Sequence, residues 1–472
     1  MGTECSRKAL PIQRVEGREL RVAFDGEHIS SDGGVLLLRA AEERTGILAQ
    51  FAECFDDHRD PDRVEHSVHD MLAQRVFGLA LGYEDLNDHD ELRRDPLLAT
   101  AIGKRDPTGT KRARKRDAGA SLAGSSTLNR VELSNPKTAA RHRYKRVVMR
   151  EEFVDQVFLD VFLQAHEKAP EEIVLDFDAT DDPLYGQQEG RFFHGYYKCY
   201  CYLPLYVFCG EHLLVARLRK ADQDGAAGTV DELDRLVPRI REQWPGVRIV
   251  VRGDSGFCRE SIMKWCEDHD VHYVLGLARN PRLSKRIRSQ MAEAKRAFKE
   301  TSKAARAFAE LQYRTRKTWS RRRRVIGKAE YLPKGENPRF VVTSFDKHEI
   351  GARHLYEKIY CARGEMENRI KEQQLYLFAD RTSTHAMRSN QVRLYFSAIA
   401  YTLLEAIRRI GLRDTRLSRA QCCTIRNKLL KIGAVVRVTV RRVWITMARS
   451  CPYADLFAHV LCNLRAPPHC SA

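Results

Sequence analysis

The sequence predicts a mixed α/β chain built around one sheet that combines antiparallel and parallel strands. Three observations predict it. The stretch Ile173-Val174-Leu175-Asp176-Phe177-Asp178 is apolar and β-prone, and it breaks at Asp181-Asp182-Pro183. Between 173 and 276 the order reads strand, strand, strand, helix, strand, helix, strand, which is an antiparallel meander extended by parallel crossovers. Acids stand at hydrophobic strand ends, at Asp178 and again at Asp254, and strand ends are where chemistry gathers in α/β sheets.

Length and charge bound the reading. A chain of 472 residues exceeds one ordinary core, so two to four domains are expected. The 81 Lys and Arg against 63 Asp and Glu give a net charge of +18, which favours a polyanionic partner. No apolar run is long enough for a transmembrane helix, and Met1 to Arg14 contains no apolar segment of signal-peptide length. The 13 cysteines form no CxxC pair, which argues against a zinc site and for reduced thiols in a cytosolic protein.

The first hundred residues read as helical. Ser30-Ser31-Asp32-Gly33-Gly34 precedes an apolar run from Val35, and Val64, Val68, Met71, Leu72, Val76 and Leu79 recur at helical spacing. Gly82 to Asp90 is a polar connector, and His66, His69 and His89 read as structural rather than as ligands. Lys104 to Arg116 then forms a basic loop whose Lys111, Arg112, Arg114, Lys115 and Arg116 suit phosphate contacts. A second basic cluster, Arg141 to Arg150, leads into a helix carrying Phe153, Val157, Phe158, Val161 and Phe162.

Beyond the aspartate strand, Tyr196 to Cys209 and Leu213 to Leu218 read as strands, Thr229 to Trp244 as an amphipathic helix, and Val247 to Arg252 as a further strand ending at Gly253-Asp254-Ser255-Gly256. A helix from Arg259 to His269 and a strand at Tyr273-Val274-Leu275-Gly276 follow. Residues 280–350 interrupt the pattern as an inserted basic lobe, with Trp319, Arg321, Arg322, Arg323 and Arg324 expected as an exposed aromatic among phosphate-binding cations. Helical sequence resumes at His354, where Tyr360, Arg363, Glu367, Lys371 and Gln374 share one face. A longer helix runs from Met387 to Ile410, Leu429 to Thr446 reads as a basic β-ribbon, and a last helix spans about Tyr453 to Leu464.

Asp176 and Asp178 lie two apart on a strand and therefore share a face. Two like charges there demand a cation or a hydrogen-bond network, although an Asp-rich surface turn is the plainer reading. With Asp254 and a later glutamate they make a set of hard oxygen donors suited to Mg²⁺ or Mn²⁺. Two such ions can activate the attacking oxygen and stabilise the leaving oxygen in phosphoryl transfer. Neither a P-loop nor a Rossmann fingerprint is present.

At this point the chain resembles a DDE transposase of a bacterial insertion sequence, of the insertion-sequence-1380 family in the insertion-sequence-4-like superfamily. The matching residues are Leu175 to Pro183 with Gly186, Tyr200 to Leu205, Arg252 to Phe257, Gly82 to Asp88 and Leu429 to Ala434. The resemblance implies an RNase H-like catalytic core with an inserted β-rich domain before the catalytic glutamate. Its layout would be a helical N-terminal DNA-binding region (1–150), the core's first part (170–279), the basic insertion (280–350), the core's second part with the glutamate helix (351–412) and a basic α/β C-terminal region (413–472).

Relatives carry the third acid in a Tyr-x2-Arg-x3-Glu-x6-Lys pattern, matched here by Tyr360, Arg363 and Glu367, while Gln374 holds the lysine position and Lys371 lies one turn earlier. The resemblance thus implies Asp178, Asp254 and Glu367 as catalytic metal ligands for two Mg²⁺ (or Mn²⁺) ions, with Asp176 as a neighbour or alternative ligand. Tyr360, Arg363, Lys371 and Gln374 would contact DNA. It further implies cleavage at transposon ends and strand transfer into target DNA, a homodimer in a synaptic complex, and a cytoplasmic, nucleoid-associated location. Two other readings use the same residues: a metal-dependent nuclease on the same fold, and a non-catalytic DNA-binding protein derived from a transposase. The last predicts loss of an acid, and all three acids are present.

Overall fold

The computed structural model describes residues 13–18, 20, 22–23, 26–112 and 114–466. The chain divides into two compact units, and neither is a contiguous block. One combines Met1–Arg44, Glu65–Leu128 and Ile407–Ala472; the other combines Thr45–Val64 and Asn129–Ala406.

The larger unit holds a nine-stranded sheet. Its strands are β1 (Glu172–Ala179), β2 (Leu205–Cys209), β3 (His212–Arg217), β4 (Arg248–Gly253), β5 (His272–Leu277), β6 (Ala305–Tyr313), β7 (Arg323–Leu332) and β8 (Arg339–Thr343), with Gly335–Glu336 paired onto β7. Across the sheet the order is β6-β7-β8-β5-β4-β1-β2-β3. β4 runs parallel to both β1 and β5, whereas β2 and β3 pair antiparallel. The meander and crossovers predicted from sequence are therefore present.

The basic lobe differs from expectation. Strands β6, β7 and β8 are hydrogen-bonded into the same sheet, β8 pairing antiparallel with β5. Val325, Ile326, Val341 and Val342 are all buried, so β7 and β8 are internal strands with apolar residues on both faces.

One face of the sheet buries Leu175, Phe177, Ile249, Val251 and Leu275 against helix α1 (Thr229–Gln243), through Leu233, Leu236 and Ile240, and helix α2 (Glu260–Asp268), through Ile262 and Met263. Each such side chain contributes about 1.5–3 kcal/mol by leaving water. Phe177 is fully buried, and Phe177→Ala would cost about 3–5 kcal/mol. The opposite face buries Val250, Val274, Ile326 and Val341 under Leu355 and Tyr356. Leu355–Tyr360 forms a wide helical turn, Cys361–Arg363 a tight one, and the chain continues as α3 (Gly364–Leu377). Helix α4 (Met387–Ala406) covers the β2–β3 edge, with Tyr401 edge-on to Phe208 at 5.8 Å.

The smaller unit joins the two ends of the chain. His28–Ser30, Ala434–Val438 and Val443–Met447 form an antiparallel sheet. The backbone N–H groups of Gly33 and Gly34 donate to the carbonyls of Ile432 and Leu430. A Cβ on Gly34 would stand 1.9 Å from the Leu429 carbonyl oxygen, so only glycine fits there. Helix Val68–Leu81 starts with a Ser67–Asp70 capping box and stops at Gly82, whose φ is 96°. His89 is buried against Gln74, and burial pushes its pKa down to about 3, as befits a structural histidine.

Candidate active site

Parallel pairing places Arg252 beside Asp176 and Gly253 beside Phe177. One residue further, Asp254 and Asp178 come level where the two strands end. Side chains alternate along a strand, so Val174, Asp176 and Asp178 share a face with Val250, Arg252 and Asp254. This is the face covered by the Leu355–Tyr360 turn. The segment bearing Tyr360, Arg363 and Glu367 is thereby brought over the strand-end aspartates.

Asp176 is taken up by Arg252. The guanidinium donates from Nε to Oδ1 at 2.5 Å and from Nη2 to Oδ2 at 2.6 Å, and its Nη1 donates to the Ile359 carbonyl. Both side chains are buried. Burial raises the Asp176 carboxyl above its ordinary value, and the two charge-assisted hydrogen bonds oppose that rise.

Asp178 has no such partner. Burial, and next the opposed effects of Arg363 and Asp254, leave its carboxyl raised to about 7. Arg363 Nη1 reaches Asp178 Oδ2 at 3.3 Å, while its Nη2 donates to Glu367 Oε1 at 2.5 Å. One guanidinium therefore bridges an acid from the sheet and an acid from α3. Burial works against the Arg363 charge, but Asp178 and Glu367 outweigh it and hold the group above its usual range. Asp254 Oδ1 accepts from the Gly256 N–H at 2.7 Å, which fixes the carboxylate at the turn after β4. Tyr360 is seated over Gly276, where an added Cβ would lie 2.6 Å from the phenol oxygen. Burial raises the Tyr360 phenol, and Asp254 raises it further.

The sheet, the two turns over it and α3 thus bring Asp178, Asp254, Glu367, Arg363 and Tyr360 into one region. Among the described residues no three His, Cys, Asp or Glu side chains are grouped closely enough to hold a metal ion as they stand. Lys371 is exposed on α3. Gln374 is turned inward: its Nε2 donates to the Asp181 carbonyl at 3.1 Å and to Asp182 Oδ1 at 2.9 Å.

Several expected DNA contacts sit elsewhere. Trp319 is buried, edge-on to Tyr313 at 5.7 Å, because the apolar area of an indole outweighs its charged sequence neighbours. Arg323 is buried between Glu260 and Glu267, and Arg324 is held by Glu310 and the carbonyls of Phe345, Asp346 and Ile350. Arg321 pairs with Glu267 but stays exposed, as does Arg322. In the smaller unit Arg112 is inward-facing and paired with Glu65 at 2.8 Å, whereas Lys111, Arg114, Lys115 and Arg116 are exposed.

Sequence reasoning missed Arg252 as the partner of Asp176. Its position two residues before Asp254, on the same strand face, was the available signal. It also missed that the Asp32, Tyr83 and Lys431 stretches converge. Tyr83 donates to Asp32 Oδ2 at 2.7 Å, and Lys431 lies 2.7 Å from Oδ1. These motif residues therefore clamp the smaller unit.

The family model for the transposase DDE domain, group 1, matches residues 12–469. The chain belongs to this family. The cryo-EM structure of a piggyBac transposase synaptic complex with hairpin DNA is similar at 9% identity, covering 92% of this chain and 82% of that one. Its TM-score is 0.39, too loose for the likeness to carry an argument. No curated protein matches. Among the described residues of this DDE transposase-family chain, no helix is long and apolar enough to cross a membrane.

Proposed function

We propose that the chain is a transposase that cuts DNA at transposon ends and joins the freed 3′-hydroxyl to target DNA, with Asp178, Asp254 and Glu367 as its metal-binding acids. The observation that carries this reading is the meeting of Asp178 and Asp254 at the ends of adjacent parallel strands, with Glu367 and Arg363 brought over them. The antiparallel meander followed by two parallel strands supports an RNase H-like core, and the motif residues support the insertion-sequence-1380 family and a bacterial origin.

The donor types suit a divalent cation, which would have to draw the three carboxylates closer together than they stand. All three groups are hard oxygen ligands, and the desolvated Asp178 carboxyl near Asp254 and Glu367 is in the environment that a bound cation relieves. Asp178, Asp254 and Glu367 would hold two Mg²⁺ or Mn²⁺ ions, which when bound supply Lewis-acid activation of the attacking oxygen and charge stabilisation at the leaving oxygen. Asp176 would stay with Arg252 as a brace that fixes β1 against β4. Arg363 would exchange its carboxylate partners for phosphate oxygens near the scissile bond, since a guanidinium fork matches both. Tyr360, seated on Gly276, would orient the strand being cut. Two ends must be brought together, which supports a homodimer acting on DNA in the cytoplasm, at the nucleoid.

The test is cleavage and joining of labelled DNA carrying the element's own flanking ends, with Mg²⁺ present or absent. Asp178→Ala, Asp254→Ala and Glu367→Gln are expected to abolish cleavage and to leave end binding largely intact. Full cleavage by any of these purified variants overturns the assignment, and cleavage without joined products identifies a nuclease instead.

A further inference from the structure

Two cavities of similar size share Gln312 and Arg322, and they differ in their counter-charges. The first, about 510 Å³, sets Arg321, Arg322, Arg323, Arg324 and Lys347 against Glu267, Glu310 and Asp346, so carboxylates offset most of its cations. The second, about 500 Å³, is lined by Arg282, Lys285, Arg286, Arg314, Arg316 and Arg322 and by no carboxylate.

The second cavity has an ordered frame. Arg282 lies 5.3 Å over the ring of Tyr313, and Asn280 Nδ2 donates to the Tyr313 hydroxyl at 3.3 Å. Arg286 donates to the Gln312 carbonyl at 2.6 Å. Tyr313 is itself buried against Trp319, so the floor belongs to the hydrophobic core. The six cations are exposed. Elsewhere in this region arginines are laced with acids from other segments, as Arg323 is with Glu260 and Glu267. Six cations around one hollow without a counter-charge repel one another unless an anion joins them.

We propose that this basic cavity seats consecutive phosphates of duplex DNA, as a backbone-binding surface outside the candidate active site. The proposal rests on the transposase reading for the identity of the polyanion. Size and charge favour a phosphate chain over a single small anion. The hollow has many times the ~30 Å³ share of one water molecule, and six cations over-neutralise one phosphate. Contacts of this kind read no bases; they release counterions and place the duplex.

The experiment measures the affinity of the full chain for a random-sequence duplex across a salt series, without divalent ions. The variants are Lys285→Gln/Arg314→Gln/Arg316→Gln, and Lys347→Gln in the neighbouring cavity as a control. Lys285, Arg314, Arg316 and Lys347 are all exposed. Each lost phosphate contact lowers the slope of log K against log salt by about 0.9, so the triple variant is expected to lose about 2–3 in slope. The control is expected to keep the wild-type slope. An unchanged slope in the triple variant overturns the proposal, as does an equal loss in the control. So does a triple variant that loses only binding of inorganic phosphate and keeps its binding of DNA. The cleavage assay separates this from the transposase reading. A chain that binds DNA through this cavity yet never cuts overturns that reading alone. A chain that cuts with an unchanged slope overturns the cavity alone.

Discussion

Asp176 and Asp178 leave one strand on one face, two residues apart, and meet opposite surroundings. Asp176 faces an arginine in register on the neighbouring strand and accepts from both its Nε and its Nη2. Asp178 lies near the Asp254 carboxylate and has the Ala179 N–H at 2.9 Å and the end of a shared guanidinium at 3.3 Å. A buried charge survives when paired and hydrogen-bonded, and otherwise its pKa moves toward neutrality. Asp178 follows the second course, at about 7. One aspartate is a strut between strands, and the other is the proposed metal ligand. Asp182 adds a third outcome from the same stretch. It is fully buried with no cation beside it, and burial pushes its carboxyl up to about 8.

The largest effect that sharpens this comparison is catalytic. Asp178→Asn is expected to lower end cleavage by roughly 10³-fold or more, the scale of several kcal/mol of transition-state stabilisation lost with a metal ligand. The same variant removes a carboxyl that burial already pushes toward neutrality, so its urea midpoint should change little. A cleavage loss accompanied by an equal loss of folded protein would return Asp178 to a structural role. Asp176→Asn is expected to behave in reverse. It leaves Arg252 buried without its carboxylate, at a cost of about 3–5 kcal/mol in urea unfolding. Pairing it with Arg252→Met is expected to recover much of that loss, because no unpaired charge is then left. If the single variant unfolds like wild type, the strut is not a strut.

The residues of the candidate site were legible as candidates because their signals are local. The β-prone run before Asp178, the strand ending at Asp254 and the helical spacing of Tyr360, Arg363 and Glu367 each lie within a short window. What stayed hidden depends on partners far away in sequence. Arg323 reads as surface charge until Glu260 and Glu267, 63 and 56 residues earlier, close around it. Strands β7 and β8 read as a separate lobe because Arg324 and Lys328 mask apolar neighbours that pack on both faces of the main sheet. Lys328 is buried beside Glu330 at 2.6 Å. The union of the chain's two ends rests on Gly33 and Gly34 meeting Leu430 and Ile432, and nothing nearby in sequence announces it.

Asp182 offers a smaller effect with a definite sign. Its folded pKa of about 8 stands above its ordinary 3.8, so the unfolded chain gives up the proton first as pH rises. Folding then takes up a proton, and stability falls between about pH 4 and pH 8. The penalty from this group is complete only above its folded value, on the order of a few kcal/mol. Asp182→Asn cannot ionise, so its unfolding midpoint should lose less than wild type between pH 5 and pH 8. Parallel pH profiles for the two proteins would show that Asp182 is not the source.

The smallest effect concerns Gln374, which stands where related transposases carry lysine. Its amide donates to Asp181 and to Asp182, tying the segment after β1 to the helix that carries Glu367. Gln374→Ala leaves a buried acid with one donor fewer, which costs about 1–3 kcal/mol. Gln374→Lys brings an ammonium to the same carboxylate. Asp182 then ionises at lower pH, and the pH dependence predicted above should flatten, while net stability changes little because a buried ion pair roughly balances its own desolvation. A lysine turned inward adds no phosphate contact, so the salt dependence of DNA binding should match wild type. A slope steeper by about 0.9 would mean that the new side chain reaches a phosphate. In that case the inward hydrogen bonds of Gln374, rather than the position itself, set this chain apart from relatives with lysine there.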